Sequence, residues 1–229
     1  MRLIAAVRAD LAFQWKQGFF LVYVILTGMY LVVLSLLPDT WVPVAAPVVI
    51  FSDPAALGLF FIGGILMLEK TQGVLHAVFV SPLKTTEYLI SKIFTLTCIS
   101  MLAGAAIAGL GPGVRFNWYI LLLSIFFASV FFTLCGIVIC AGCRTVNQYF
   151  IKMIPYMILL VLPCLSILYN PCARWASVIP SVAALRLLFG AYESLPVMEV
   201  VILCLYLSGV NYFLFRQAVR VFERKMIYA

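Results

Sequence analysis

Charged side chains are scarce in this sequence. Asp, Glu, Lys and Arg make up 10% of its 229 residues, against about 25% in ordinary soluble domains. There is one histidine, His76, and only eight acidic residues. A polytopic membrane enzyme needs His, Glu or Asp grouped around one cavity, so this scarcity speaks against that class. An ion-coupled carrier needs ionisable groups near the bilayer midplane and repeats related by symmetry; neither is visible. There is no GxxxxGK[ST] run, nor even a Gly-Lys pair, so no loop can cradle a nucleotide phosphate in the P-loop manner. The seven cysteines are odd in number and fall mostly inside apolar blocks, which argues against a disulfide framework. Cys140 and Cys143 have the CxxC spacing. With no second pair and no histidine nearby, they read as small packing residues.

What is abundant is apolar sequence. Hydrophobic residues reach 66% and the mean hydropathy is +1.17. They come in blocks of about 20, the length that crosses about 30 Å of hydrocarbon as a helix. No polar segment is long enough to build a soluble core of its own. The expected fold class is all-α: a single polytopic membrane domain over 1–229.

Residues 1–18 predict an amphipathic helix lying in the membrane interface. Leu3, Ile4, Val7, Leu11 and Trp15 recur at helical spacing between Arg2, Arg8, Asp10, Lys16 and Gln17. No A-x-A-like cleavage site follows, so the segment reads as retained rather than as a signal peptide. Six spans are expected, at about 19–37, 52–68, 93–110, 118–141, 150–169 and 197–215. A short proline-rich loop with Trp41, Pro43 and Pro47 separates the first two. Asp53, followed by Pro54, reads as an N-cap of the second span, with the substrate path as the alternative role for an acid inside an apolar block. Pro155 and Pro163 predict kinks in the fifth span. Residues 170–195, with Pro180 and Arg186, are too short for a span and read as interfacial or re-entrant.

The net charge of +7 does not call for nucleic acid, because the cations sit between apolar blocks and set topology. With the N-terminus cytoplasmic, Arg2, Arg8, Lys16, Lys70, Lys84, Lys92, Arg144, Lys152, Arg216, Arg220, Arg224 and Lys225 fall inside, and Arg115, Arg174 and Arg186 outside. Twelve against three is a strong positive-inside bias. A seventh span at 175–190 would reduce it to eight against seven, so six spans with both termini cytoplasmic is the expected topology. Arg216, Arg220 and Arg224 form an i, i+4, i+8 stripe suited to anionic lipid.

The one long inside loop, 69–92, carries the most information. Val74, Leu75, Val78 and Phe79 make an apolar stripe on a short helix, which Ser81 and Pro82 end. Such a helix wants a protein groove or the headgroup layer for its apolar face. The run Glu69, Gly73, Ser81, Pro82, Glu87 and Lys92 resembles the signature loop of ABC type-2 transporter permeases. The N-terminal helix is similar to that family's connecting helix, and Pro180 with Ala184, Leu185 and Arg186 to its proline-containing segment before the last span. The resemblance covers nearly the whole chain and looks closest to small drug-export permeases.

The resemblance implies a permease subunit that pairs with a second permease, in a homo- or heterodimer. A separate ABC ATPase would carry the ATP and Mg, and this chain would hold no cofactor and perform no hydrolysis. The loop helix would be the coupling helix, with Glu69, Gly73, Val74, Leu75, Val78, Phe79, Ser81, Pro82 and Lys92 as its residues. The cargo expected in the cell membrane, with 18 Phe and 11 Tyr in the chain, is hydrophobic or amphiphilic.

Overall fold

The structure is a computed structural model and describes residues 2–38, 40–52, 58–75, 83–111, 116–165, 177–193 and 195–227. Among these the chain is helical, without strands. The helices are α1 (Arg2–Lys16), α2 (Phe19–Leu36), α3 (Val42–Ser52), α4 (Leu59–Thr71), α5 (Thr85–Leu110), α6 (Trp118–Cys140), α7 (Val146–Val161), α8 (Pro180–Tyr192) and α9 (Val197–Phe222). A 3₁₀ turn, Leu162–Cys164, closes α7, and a wider π turn, Glu223–Ile227, continues α9. Five helices are long and apolar enough to cross a membrane: α2, α5, α6, α7 with its closing turn, and α9 with its extension. The chain is a polytopic all-α membrane protein.

Helix α6 is the axis of the bundle, with α4, α5, α8 and α9 all packing on it. Two clusters of buried side chains divide its length. One gathers Val42, Ile50 and Phe51 of α3 with Ile107, Leu121, Phe132, most of α8, and Leu203 and Leu207 of α9. The other gathers α4 with Leu89 and Leu96 of α5, Ile137 and Cys140 of α6, Tyr149 and Met153 of α7, and Phe222 of α9. We call the second, which lies beside α1, the basal end and the first the apical end.

Residues 42–47, expected as a proline-rich loop, lie in α3. Pro43 falls in the first turn, where no amide donor is required, and Pro47 forgoes a single bond. Burial of Val42, Ala46, Pro47, Ile50 and Phe51 along one face outweighs that loss. The second apolar block therefore reads as two helices in series, α3 against apical neighbours and α4 against basal ones. Asp53 and Pro54 lie outside the described residues.

Glycine makes the basal packing possible. A Cβ on Gly63 would sit 2.0–2.6 Å from the ring of Tyr149, and one on Gly136 would sit 2.3 Å from Ile62 Cγ2. The Tyr149 ring thus fills the notch at Gly63, and its hydroxyl donates to the Leu59 carbonyl. Pro155 lies inside α7 and Pro163 in its closing turn.

Helix α8 is not peripheral. Nine of its thirteen residues are buried. Ser181 Oγ donates to the Leu160 carbonyl at 2.6 Å, and the Ala191 carbonyl accepts from Asn117 N–H at 2.8 Å. It runs from beside the end of α7 to the apical start of α6. Arg186 joins it to the first turn of α9 through Glu199, at 2.6 Å.

Candidate functional site

Charged side chains are rarely buried among the described residues, so the place where Asp10, Glu69 and Lys92 meet three further polar groups stands out. Asp10 and Gln14 are one turn apart on α1. Tyr88, Lys92 and Thr95 fall at i, i+4 and i+7 on α5, which is one face. Glu69 is in the last turn of α4. All six are buried. Lys92 Nζ donates to both Asp10 Oδ1 and Glu69 Oε1. Tyr88 Oη donates to Glu69 Oε2. Asp10 Oδ2 accepts from Thr95 Oγ1 and, at 2.9 Å, from Gln14 Nε2, which also reaches Thr95 Oγ1 at 3.0 Å.

Each carboxylate oxygen in the cluster therefore has a donor. The Lys92 ammonium lies 5.6 Å from the Phe13 ring centre and 5.3 Å from that of Tyr88, so aromatic faces cover it where carboxylates do not. Taking charges out of water costs several kcal/mol per ion unless partners replace the hydration. Here they do, with one cation shared by two anions and three neutral groups supplying further hydrogen bonds. The cluster pins three segments that are far apart in sequence: the N-terminal helix, the exit of α4 and the entry of α5.

Between α4 and α5 lies the loop. The described geometry shows how it leaves and returns. Helix α4 stops at Thr71, Gln72 N–H donates to the Leu68 carbonyl at 2.9 Å, and Gly73 follows at φ +73°. That left-handed conformation costs a side chain and suits glycine, and it ends a helix sharply. Leu75, half of the expected stripe's first pair, is buried in the basal cluster with Tyr88 and Phe222; Val74 beside it is half-buried. The loop returns at Lys84, whose backbone N–H donates to Glu87 Oε2 at 3.1 Å, stapling the start of α5. His76, Val78, Phe79, Ser81 and Pro82 lie outside the described residues.

The sequence-predicted residues thus divide. Glu69 and Lys92 are brought together, although 23 positions apart, and lie within helices rather than in the loop. Gly73 forms the turn between them. Arg216, Arg220 and Arg224 are exposed at the basal end, with Arg216 stacked 5.7 Å from the Tyr212 ring centre. Asp10, Gln14, Tyr88 and Thr95 were not among the expected site residues. Of the apolar stripe of residues 1–18, Leu3, Ile4, Leu11 and Trp15 stay exposed. The other face, with Asp10 and Gln14 four residues apart, is the one that packs on α5.

Glu69, Gly73 and Lys92, which carry the resemblance to ABC type-2 permeases, lie in the last turn of α4, in the turn that follows it and near the start of α5. The whole chain, residues 1–229, matches the model of the fluoroquinolones export permease protein family. The chain belongs to that family. Proteins named fluoroquinolones export permease, from two strains of Mycobacterium tuberculosis, are each 31% identical to it over 163 residues, which is 71% of this chain and 69% of the relative. The family is one of ABC type-2 permeases, so the resemblance carried by the loop residues is sustained by the comparison over the full length.

Proposed function

We propose that this permease forms the membrane pathway of an ATP-driven drug exporter, is powered by a separate ATPase chain, and takes planar amphiphiles of the fluoroquinolone kind as cargo. The observation that carries the coupling part of this reading is the buried Asp10–Lys92–Glu69 cluster. It fastens both ends of the 72–84 loop to α1, so a push on the loop moves α4, α5 and α1 together rather than unravelling one of them. Val74, Val78, Phe79, Ser81 and Pro82 are the residues proposed to meet the ATPase. Glu69, Gly73, Leu75 and Lys92 hold the loop in place from within.

The cytoplasm is the side proposed for the basal end and both termini, on the twelve-to-three distribution of cations. In this reading α3 and α4 together make the sixth crossing. Their 11 and 13 residues, at about 1.5 Å each, span roughly 36 Å, enough for about 30 Å of hydrocarbon. Helices α2 and α7 are the faces proposed for a second permease, a copy of this chain or a different one, because each buries only two residues within the chain. Arg216, Arg220 and Arg224 are proposed to hold anionic lipid, and Asp53 stays a candidate for the substrate path.

The test replaces Val78 and Phe79 together by Asp and follows co-purification of the ATPase and efflux of a fluorescent quinolone from cells. An unpaired charge forced into an apolar groove resists desolvation, so the variant should insert normally, lose the ATPase and lose efflux. A double variant that keeps its ATPase and pumps normally would remove the loop from the coupling surface.

A further inference from the structure

An open cleft of about 510 Å³ runs between α5 and α9, with α6 as its floor. Its rim is apolar and outward-facing, since Ile90, Phe94, Phe126 and Tyr212 are all exposed. In a chain that crosses the bilayer these faces meet lipid, so the cleft opens sideways into the membrane. Its volume falls in the range of small-molecule sites, about 300–1,000 Å³.

Two of the residues lining this cleft have unmet hydrogen-bonding capacity. Thr97 is 3% exposed and its hydroxyl has no partner; Asn211 is 7% exposed and its Oδ1 has none. Other hydroxyls here are satisfied locally. Ser91 and Ser124 donate to carbonyls three residues back, and Ser208, in the same cleft, donates to the Cys204 carbonyl at 2.7 Å. Thr97 does not. The Asn211 amide is held by its nitrogen, which donates to the Phe127 carbonyl at 3.2 Å, so its oxygen cannot turn away without losing that bond. Ser100, Ser129 and Thr133 also lack partners, but they do not line the cleft. Thr97 is the thirteenth of 26 residues in α5, and Asn211 the fifteenth of 26 in α9. Both therefore lie near mid-span, where lipid chains offer no hydrogen bond. A buried polar group left unmatched costs about 1–3 kcal/mol.

We propose that this cleft is a binding site, entered from the bilayer, for a planar aromatic amphiphile whose hydrogen-bonding group pairs with Thr97 and Asn211. The proposal rests on the export reading for its biological meaning and deepens it by naming where cargo sits on one subunit. Phe94, Phe126, Phe127, Tyr212 and Phe215 supply ring faces and edges for a flat molecule. A lipid tail would fill the volume but leave both oxygens unmatched. A second copy of the chain has the more exposed faces of α2 and α7 to pack against.

Cys98 lines the cleft and is half-buried, while Cys204, also half-buried, does not line it. The test uses the full chain in phosphatidylcholine nanodiscs with norfloxacin as the probe. Binding is followed by fluorescence polarisation, and alkylation of each cysteine by N-ethylmaleimide is followed by mass spectrometry. Saturating norfloxacin should slow alkylation of Cys98 several-fold and leave Cys204 unchanged. Thr97→Val, which keeps the shape and removes the hydroxyl, should weaken binding about fivefold, the value of one ordinary hydrogen bond. Saturable binding with no protection of Cys98, or with an unchanged affinity in Thr97→Val, would overturn the cleft and leave the export reading standing. Loss of all saturable binding together with absent efflux in cells would remove both.

Discussion

Replacing Lys92 by Met tests the cluster most directly. Methionine matches the length and the apolar stem of lysine, so packing changes little while the ammonium disappears. Two carboxylates then face one another's field in a site that is 2% to 4% exposed. Removing one partner of a buried ion pair costs about 3–5 kcal/mol, a large part of the usual 5–15 kcal/mol of a folded domain. At about 2–4 °C per kcal/mol for chains of this size, the thermal midpoint should fall by roughly 6–20 °C. Glu69→Gln should be much milder. The amide oxygen still accepts from Lys92, and the Tyr88 hydroxyl can rotate to accept from the amide nitrogen. Asp10→Asn should lie between them, because Asp10 Oδ2 already accepts two donors and Oδ1 faces an ammonium, so an amide nitrogen fits neither place. The triple variant Asp10→Asn, Glu69→Gln, Lys92→Met removes every charge and should recover most of the lost midpoint. The assay is thermal loss of the monodisperse species in detergent at fixed pH and salt. A Lys92→Met midpoint within 2 °C of the parent would refute the reasoning, as would a triple variant no better than Lys92→Met alone.

The remaining predictions concern packing, orientation and energy source. Gly63→Ala should destabilise by about 1–3 kcal/mol, because the new methyl falls inside the Tyr149 ring. Gly64→Ala, with open space around its Cβ position, should be close to neutral or slightly stabilising in the same thermal assay. Single cysteines at positions 72 and 115, in a background without native cysteines, should report the orientation: impermeant reagent added to intact cells should reach 115 only, and labelling of 72 would invert the topology. The chain purified without partners should hydrolyse ATP no faster than a mock preparation, and specific nucleotide binding by it would contradict the permease role.

How much of this was legible depends on the kind of signal. The long apolar helices announced themselves, since 20-residue blocks have few other uses. The signature residues Glu69, Gly73 and Lys92 were legible through resemblance, and the structure gives them physical tasks: a left-handed turn for Gly73 and a shared buried charge for the other two. Asp10 and Gln14 were not legible. On an amphipathic helix the apolar stripe is ordinarily the buried one, but a membrane inverts that rule by welcoming Leu3, Ile4 and Trp15 outside. The polar face then becomes the packing face, and only a polar partner on α5 justifies it. Helix α3 was missed for a related reason. Prolines usually mark loops, yet Pro43 falls in the first turn of α3, and the loss at Pro47 is offset by the face that α3 buries. The deep placement of α8 needed tertiary contacts with α6 that no local pattern of thirteen residues reveals.

A loop between two membrane helices is a poor lever if either helix can slide or fray, because displacement at the loop then dissipates at its ends. Lys92 removes that freedom on both sides. Its ammonium cannot leave Glu69 or Asp10 without leaving a buried carboxylate short of its cation. The cost of separating them is of the same order as the stability of the whole domain. On the coupling role proposed for the loop, its displacement would carry α1, α4 and the basal part of α5 as one piece. Helix α3 stays packed with α8 at the apical end. On the export reading, the ion cluster serves this motion by holding the moving parts together.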